Sequence, residues 1–224
     1  MIQTSVRDVF GALSSVEEKN APVTLFARGD ISLLQTGLRI CVIGTRKPSL
    51  AGQSAAQQYA GFLARNGVTV VSGLAMGIDT ISHRTAIEVG GRTIAVLGTP
   101  LDQVSPRSNT ELQREIGSRH LLVSQFALGS TVTRSNFPQR NRTMALLSDG
   151  TIIIEAGEGS GTLHQGWEAL RLGRPLFILS SVVSSGLEWP AKMLDYGAMT
   201  LSDPAELYEA LPIRMEAVGG EQAQ

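Results

Sequence analysis

The sequence predicts an α/β protein with a mostly parallel sheet between two layers of helices. Short apolar runs rich in Val and Ile alternate with longer segments of helical period, which is typical of parallel strands joined by crossover helices. These runs are apolar on both faces, as strands buried in such a sheet must be. Several of the predicted helices also end just before a glycine, the residue that most readily closes a helix in a left-handed conformation.

Seven strands are predicted, at residues 23–28, 38–44, 68–72, 93–98, 121–124, 151–155 and 175–180. Helices are predicted between them at 51–65, 79–89, 108–119, 137–148 and 162–172. Three of these helices are followed by the capping glycines Gly67, Gly90 and Gly173. Strands and helices therefore alternate throughout the predicted core.

One main domain is expected over residues 23–187, because 224 residues suffice for one well-buried domain and a short extension. Residues 1–22 are interpreted as a short lead-in. Residues 188–214 are expected to pack on the core as a small helix, a short strand near Met199–Leu201 and a final helix opened by Ser202 or Asp203, with Pro204 at its first position. Residues 215–224 are interpreted as a flexible tail.

Composition and charge exclude several classes of protein. Hydrophobic residues make up 42% of the chain and charged residues 17%, which excludes a disordered protein. The net charge of −1 excludes a protein that coats nucleic acid by bulk positive charge, although residues 1–187 are mildly basic and the remainder is acidic. The single cysteine, Cys41, cannot form an internal disulfide framework or a multi-cysteine zinc site. Because no targeting segment or membrane span is recognised, we expect a cytoplasmic protein with no membrane partner.

Four predicted strands end in loops of small residues, each leading toward a helix. In open α/β sheets ligands bind beyond the carboxyl ends of the strands, and helix N-termini attract phosphate there. Glycine also simply permits a tight turn from strand to helix, so each loop alone is weak evidence. The candidate phosphate-binding residues in these loops are Gly44, Thr45, Arg46, Lys47, Ser72, Gly73, Gly77, Gly159, Ser160, Gly161 and Thr162.

A second candidate segment, residues 134–142, carries three arginines, two asparagines and one aromatic residue, with no acid. It should lie at the same edge of the sheet, where arginine can pair with phosphate and a ring can stack on a base. In the alternative interpretation, Phe137 anchors the loop in the core and the arginines are solvated or pair with Glu155. The candidate DNA-binding residues here are Arg134, Asn136, Phe137, Arg140 and Asn141.

Sequence motifs of common nucleotide-dependent enzymes are missing. Neither a P-loop nor a dinucleotide-binding glycine pattern occurs, so no cofactor is expected. His83, His120 and His164 lack metal-binding spacing, so no metal is expected. Asp79 is interpreted as a helix cap, and no G-x-S-x-G elbow is present. No catalytic residue is assigned.

Four ordered motifs resemble those of the DNA-processing protein A (DprA, or Smf) family over roughly residues 23–180. They are residues 44–46 (GTR), 72–79 (SGLAMGID) followed by His83-Arg84, 91–98 (GRTIAVLG) and 136–142 (NFPQRNR). The resemblance implies an extended Rossmann-like domain and a homodimer that binds and protects incoming single-stranded DNA. It further implies that the protein assists loading of the RecA recombinase during natural transformation.

By the same resemblance, Gly44, Thr45 and Arg46 would hold a backbone phosphate, Arg134 and Arg140 would line the same pocket, and Phe137 would stack on or wedge beside a base. The chain departs from the family at residues 104–107, where Val-Ser-Pro-Arg replaces a Tyr-Pro-Pro stretch. The helical and winged-helix-like flanking domains common in the family are not expected here, and their functions are not carried over.

Residues 159–165 are similar, more distantly, to the lysine-decarboxylase-like (LOG) phosphoribohydrolases. The catalytic glutamate of that family falls on Gln165, whose amide cannot act as a general base. This favours binding without hydrolysis, although Glu168, one helical turn further on, is a possible substitute. A nucleotide sensor or hydrolase is therefore the second hypothesis, and a scaffold with a vestigial pocket the third.

Overall fold

Nine strands form one sheet in the computed structural model, which describes residues 1–211. The strands are β1 (Ile2–Thr4), β2 (Leu25–Gly29), β3 (Arg39–Gly44), β4 (Thr69–Ser72), β5 (Thr93–Leu97), β6 (Leu121–Ser124), β7 (Gly150–Glu155), β8 (Leu176–Leu179) and β9 (Met199–Leu201). Across the sheet their order is β1-β2-β6-β5-β4-β3-β7-β8-β9.

The α-helices are α1 (Val6–Phe10), α2 (Ser15–Asn20), α3 (Leu50–Arg65), α4 (Ile78–Glu88), α5 (Thr110–Arg119), α6 (Asn136–Leu146), α7 (Gly161–Arg171), α8 (Ser180–Val183), α9 (Glu188–Asp195) and α10 (Leu207–Ala210). Short 3₁₀ turns cover Ile31–Leu34, Arg107–Asn109 and Pro204–Glu206.

The sheet is parallel from β6 to β9 and antiparallel only where β1 pairs with β2 and β2 with β6. From β3 the chain adds strands in one direction as far as β6, and from β7 it adds them in the other. Because crossovers between parallel strands are right-handed, the helices of the two series lie on opposite faces. Helix α3 packs on α4, and α6 on α7. This confirms the predicted α/β fold with a mostly parallel sheet.

The predicted elements agree with the observed ones to within two residues at each end. Gly67, Gly90 and Gly173 have φ angles of 71°, 76° and 67°, as the predicted left-handed caps require. In residues 188–211 the structure contains α9, β9 and a 3₁₀ turn with Asp203 as its cap and Pro204 in its first turn. Residues 212–214 and the predicted tail, 215–224, lie outside the described residues.

The expected alternation of strands and helices fails in the N-terminal region. The strict alternation of strands and helices begins only at β3, because residues 1–22 supply the edge strand β1 and two short helices. Between β2 and β3 there is a 3₁₀ turn and no α-helix. The predicted helix 108–119 also begins with a separate 3₁₀ turn. The division of the chain into domains stays a prediction.

Ion pairs tie the N-terminal region to the amino ends of β3 and β7. Asp149 accepts from the backbone N–H of Arg39 at 2.9 Å and from its Nη2 at 2.9 Å. Arg174 lies 3.8 Å from the same carboxylate and donates to Glu17 of α2 at 3.0 Å. The guanidinium of Arg39 also lies over the ring of Phe10, 4.9 Å from its centroid. This network lies at the edge opposite the predicted site.

Within residues 1–211, the helices are too short or too polar for any of them to cross a lipid bilayer.

Candidate functional site

The sheet has a topological switch point between β3 and β7, from which the chain proceeds in opposite directions. Such points leave a crevice beyond the carboxyl ends of the strands. Here the loops after β3 and β7 and the first turns of α6 enclose a cavity of about 480 Å³, which we call the switch-point cavity. Its wall contains the predicted residues Gly44, Thr45, Arg46, Lys47, Phe137, Arg140, Asn141, Ser160, Gly161 and Thr162.

A second cavity of about 400 Å³ adjoins the first, and we call it the lateral cavity. The two cavities share Arg46, Ala75, Phe137 and Arg140. The wall of the lateral cavity is completed by Gly73, Met76, Gly98, Ser105, Pro106 and Arg134. The structure therefore brings the loops after β3, β4, β5 and β7 and the segment before α6 to one rim of the sheet.

The loop after β3 is held in place through its backbone. The Thr45 N–H donates to the Glu155 carbonyl at 2.7 Å, and the Thr162 hydroxyl donates to the Gly44 carbonyl at 3.1 Å. A side chain at Gly44 would place its Cβ 2.6 Å from Ile78 Cγ1, so this close packing requires glycine. The backbone of the loop is thus fixed at the cavity wall.

Three cations at the cavities are exposed: Arg46, Lys47 and Arg134. None of them takes part in an ion pair within residues 1–211. By contrast, Arg142 of the same predicted segment pairs with Glu168 at 3.1 Å. The rim therefore presents positive charge that forms no ion pair within the described residues, 1–211.

Arg140 is buried, with only 6% of its surface exposed. Its Nη1 donates to the carbonyls of Gly73 and Val96, and its Nε donates to Asn141 Oδ1 at 3.0 Å. Nη2 makes none of the hydrogen bonds seen in residues 1–211, and it is not among the fully buried unpartnered atoms. Arg140 thus holds the loop after β4 through its Nη1, and its Nη2 has no hydrogen-bond partner within residues 1–211.

Asp79 is also buried, and its negative charge interacts with the positive charge of Arg140. Its Oδ2 accepts from the N–H groups of Gly73 and Ala75 at 3.2 and 3.3 Å, so it holds the loop before α4. The interpretation of Asp79 as a helix cap was wrong, because Gly77 is the N-cap of α4 and no side chain caps this helix. Burial raises the pKa of the Asp79 carboxyl, and the positive charge of Arg140 opposes that rise. Burial lowers the pKa of Arg140, and Asp79 opposes that shift in turn. Each charge offsets part of the cost of burying the other.

Phe137 is the second residue of α6 and is half-buried. Its ring lies on the bare backbone of Gly98, where an added Cβ would come within 2.7 Å of Phe137 Cδ1. Phe137 borders both cavities. Phe137 therefore anchors the start of α6, as the alternative interpretation expected, and its stacking on a base stays a prediction.

The loop after β7 leaves backbone exposed at the N-terminus of α7. A Cβ at Gly157 or Gly161 would meet no atom within 4 Å, and neither residue has a positive φ. Neither packing nor backbone conformation therefore explains glycine at these two positions. The nearby Glu158 carboxylate, although it borders the cavity, accepts from the N–H of Glu188 at 2.9 Å.

Four predicted residues do not lie on the wall of either cavity. Ser72 is buried and donates to the Val42 carbonyl at 2.7 Å. Asn136 is also buried and accepts from the Thr133 hydroxyl at 2.7 Å. Gly77 has a φ of 77° and packs on the backbone of Arg46, while Gly159 has a φ of 68° in the turn after β7. These residues contribute hydrogen bonds and turn conformations to the local structure, and their contact with DNA stays a prediction.

The polar side chains of Glu168, Gln165 and Glu155 already contact other groups of the protein. Glu168 pairs with Arg142 and Arg171 and does not border either cavity. Gln165 borders the switch-point cavity but is buried, and its side-chain amide donates to the Asn141 carbonyl and accepts from the Ala145 N–H at 3.1 Å. Glu155 does not pair with Arg140; its carboxylate accepts from the Ser49 hydroxyl at 2.8 Å.

Sequence reasoning missed Met76, His164 and Pro138 as wall residues. Met76 falls inside a loop that the sequence analysis did identify, residues 72–79, and its position between glycines and alanines was the available signal. His164 and Pro138 carry no comparable signal, because their place at the wall depends on how α6 and α7 are set on the sheet.

Fold and site together define a Rossmann-like α/β protein with an anion-attracting rim at its topological switch point. The model of the family described as DNA recombination-mediator protein A matches residues 8–212. The chain therefore belongs to the DNA recombination-mediator protein A family, as the sequence motifs predicted.

Relatives support this assignment. The DNA processing protein DprA of Bacillus subtilis is 34% identical over 194 residues, which is 86% of this chain and 65% of that protein. The structure of DprA from Streptococcus pneumoniae has a TM-score of 0.81 at 33% identity, covering 93% of this chain and 73% of that one. A Helicobacter pylori DprA structure, described for its single-stranded DNA binding mode, has a TM-score of 0.79 at 27% identity and covers 94% and 95%. The chain thus spans less than two thirds of the full Bacillus subtilis relative.

Proposed function

We propose that this chain binds single-stranded DNA along the rim formed by the two cavities and carries out no reaction on it. The observation that carries the proposal is a group of three exposed cations, Arg46, Lys47 and Arg134, which form no ion pair with residues 1–211 and border the two cavities together with the half-buried Phe137. The described binding of single-stranded DNA by the Helicobacter pylori relative supports the same function.

In this proposal the switch-point cavity holds a backbone phosphate. The loop of Gly44, Thr45 and Arg46, the N-terminus of α7 and Arg140 all border this cavity. Backbone N–H groups and guanidinium groups recognise phosphate whatever the base, so binding is independent of sequence. Phe137 then favours a single strand, because only an unstacked base offers its face to a ring.

Further proposals extend from family membership. We propose that the chain acts as a homodimer in the cytoplasm and assists loading of a RecA-type recombinase on incoming DNA. The description of the family as a recombination mediator supports this role. Light scattering of the purified chain tests the dimer, and a recombinase filament assay on coated single strands tests the loading.

The central experiment is a titration with a fluorescent oligo-dT, its duplex and a nucleoside monophosphate, each at two salt concentrations. We expect the single strand to bind most tightly and its affinity to fall steeply with salt, because bound phosphates release counterions. Equal affinity for duplex and single strand would overturn the proposal. Release of free base from the monophosphate would favour the hydrolase hypothesis, and no shift in melting temperature with any ligand would favour a vestigial scaffold.

A further inference from the structure

The N-terminus of α3 lies where dinucleotide-binding Rossmann folds hold a pyrophosphate. Strand β3 and helix α3 are the first strand and helix on one side of the switch point. In those folds the first turn from strand to helix places the pyrophosphate on the N-terminus of the helix. Here Ser49, Leu50 and Ala51 are exposed, and the first turn of α3 contains no acidic residue. The local sequence therefore makes this helix end attractive to an anion.

The carboxylate of Glu155, at the end of β7, already occupies this helix end. Its Oε1 and Oε2 each lie 3.2 Å from the backbone nitrogen of Ser49, the N-cap of α3, and Oε2 accepts from the Ser49 hydroxyl at 2.8 Å. Glu155 takes part in none of the ion pairs seen in residues 1–211. Ser49 and the positive end of the helix dipole therefore stabilise this charge without a cation.

Gly52, the third residue of α3, provides the space for this carboxylate. An added Cβ at Gly52 would overlap Glu155 Oε2, and Gly52 has no positive φ. Glycine is less favourable than alanine inside a helix, so it lowers the intrinsic stability of α3 at this position. The contact with Glu155, and not the backbone conformation, therefore accounts for glycine here.

A third cavity, of about 360 Å³, lies beside the same carboxylate, and we call it the α3 cavity. Its wall is formed by the first turns of α3, the end of β7 and the segment that begins with α8. Among the described residues of this wall Glu155 is the only charged one, and the other polar side chains are those of Ser49, Ser181 and Ser185. The cavity has room for a phosphate group, but its single charge repels one.

The second helix end at the switch point has surroundings of the opposite charge. The wall of the switch-point cavity contains Gly161, the first residue of α7, together with the exposed cations Arg46 and Lys47. The carboxylate on this wall, that of Glu158, accepts from the backbone N–H of Glu188. One helix end thus holds a carboxylate of the protein itself, and the other lies beside cations.

We propose that Glu155 is an internal anion that takes the place of a phosphate at the N-terminus of α3 and so excludes free phosphates, nucleotides and dinucleotides from this helix end. The inference rests on the proposed function and deepens it. With α3 occupied, the N-terminus of α7 is the helix end at the switch point that accepts the phosphate of a bound strand. Glu155 is thus a specificity-determining residue.

The amide resonances of Ser49 and Gly161 report on the two helix ends separately. In an NMR titration of the wild type with pyrophosphate, we expect the Gly161 N–H to shift and the Ser49 N–H to stay unchanged. In Glu155→Ala both should shift, because the vacated N–H and hydroxyl of Ser49 then bind the added anion. A response of Ser49 in the wild type would overturn the proposal, even if the variant failed to fold.

Glu158→Ala is the matched control, because it also removes one carboxylate from the switch point but leaves Glu155 in place. Its Ser49 N–H should not respond to pyrophosphate. An equal response of Ser49 in both variants would mean that any loss of negative charge admits the anion, and the specific role of Glu155 would be wrong.

Thermal unfolding gives a second measurement. Glu155→Ala should melt at a lower temperature than the wild type, because α3 loses a favourable charge at its N-terminus. Pyrophosphate should then raise the melting temperature of Glu155→Ala more than that of the wild type or Glu158→Ala, since it binds an additional site in the folded state. An equal rise in all three proteins would contradict the proposal.

The failures of the two proposals are distinguishable. If the wild type binds oligo-dT but Ser49 of Glu155→Ala does not respond to pyrophosphate, the role of Glu155 is wrong and the proposed function stands. If the wild type binds no oligo-dT, the proposed function is wrong, and the response of Ser49 still decides whether Glu155 excludes phosphate from α3.

Discussion

The guanidinium of Arg140 occupies the space that a side chain at Gly73 would need, and it donates to the Gly73 carbonyl. A Cβ at Gly73 would lie 2.5 Å from Arg140 Cζ. Because Gly73 has no positive φ, the arginine and not the turn requires glycine here. This contact joins the loop after β4 to α6, the two elements that carry Met76 and Phe137.

Gly73→Ala should therefore displace Arg140 and disturb both cavities at once. We expect a loss of stability of about 1–3 kcal/mol, as for other overpacked buried sites, and weaker binding of single-stranded DNA even though no exposed cation is removed. Urea unfolding measures the first effect and a fluorescence titration the second. A variant with wild-type stability and affinity would show that the loop after β4 can move away from Arg140 without cost.

Gly161→Ala, at the first residue of α7, should have the opposite effect on stability from Gly73→Ala. Its Cβ would meet no protein atom within 4 Å and would project from the cavity wall. We expect stability equal to or above that of the wild type, because alanine favours helix over glycine. Affinity for oligo-dT should fall about tenfold if the methyl group prevents one N–H bond to phosphate. Unchanged affinity would place the phosphate elsewhere on the rim.

Periodicity and composition predicted most of the fold. The central strands are buried on both faces, so their apolar runs are long and uninterrupted, and glycine caps mark the helix ends. Strand β1 escaped prediction because Ile2–Thr4 is short, lies at the sheet edge and has no fully buried side chain. A half-exposed edge strand leaves no distinct pattern of hydrophobicity.

The site was predicted less completely than the fold. Loop positions followed from the rule that parallel strands end at one edge, which located Arg46, Phe137 and Thr162 together. The burial of Arg140 could not be predicted, because arginine is usually exposed and only the packing of α6 on the sheet hides it. The same holds for Met76, whose exposure depends on the hydrogen bonds of its loop.

Arg46 and Arg134 should each contribute one phosphate contact. Replacing either with alanine should reduce the salt slope of single-strand binding by about 0.7 and leave stability unchanged, since both side chains are exposed and unpaired within residues 1–211. The measurement is the affinity for oligo-dT over a series of salt concentrations. Arg119→Ala is the matched control, because this exposed arginine lies at the end of α5, at the opposite edge of the sheet. An equal change of slope in all three variants would indicate a general charge effect and no defined contact.

His83 gives the fold a dependence on pH that is separate from DNA binding. Its Nδ1 lies 2.6 Å from Thr93 Oγ1, and the Thr93 hydroxyl donates to the Val70 carbonyl at 2.8 Å. Since that hydroxyl has one proton, His83 must donate from Nδ1, and the buried Nε2 is left without a partner. Burial, followed by the nearby charges of His120 and Arg140, lowers the pKa of His83 to about 3.

Because the folded-state pKa lies below the unfolded value of 6.5, the neutral ring contributes stability that is complete above pH 6.5 and declines as the pH falls toward 3. We expect His83 to account for a loss of about 2 kcal/mol in the free energy of unfolding between pH 7 and pH 5. Urea unfolding across this range should show a shallower pH dependence for His83→Gln than for wild type. His164→Gln, at an exposed histidine, should retain the wild-type dependence. If His83→Gln follows the wild-type curve as well, the acid sensitivity belongs to the carboxylates and the buried imidazole does not govern it.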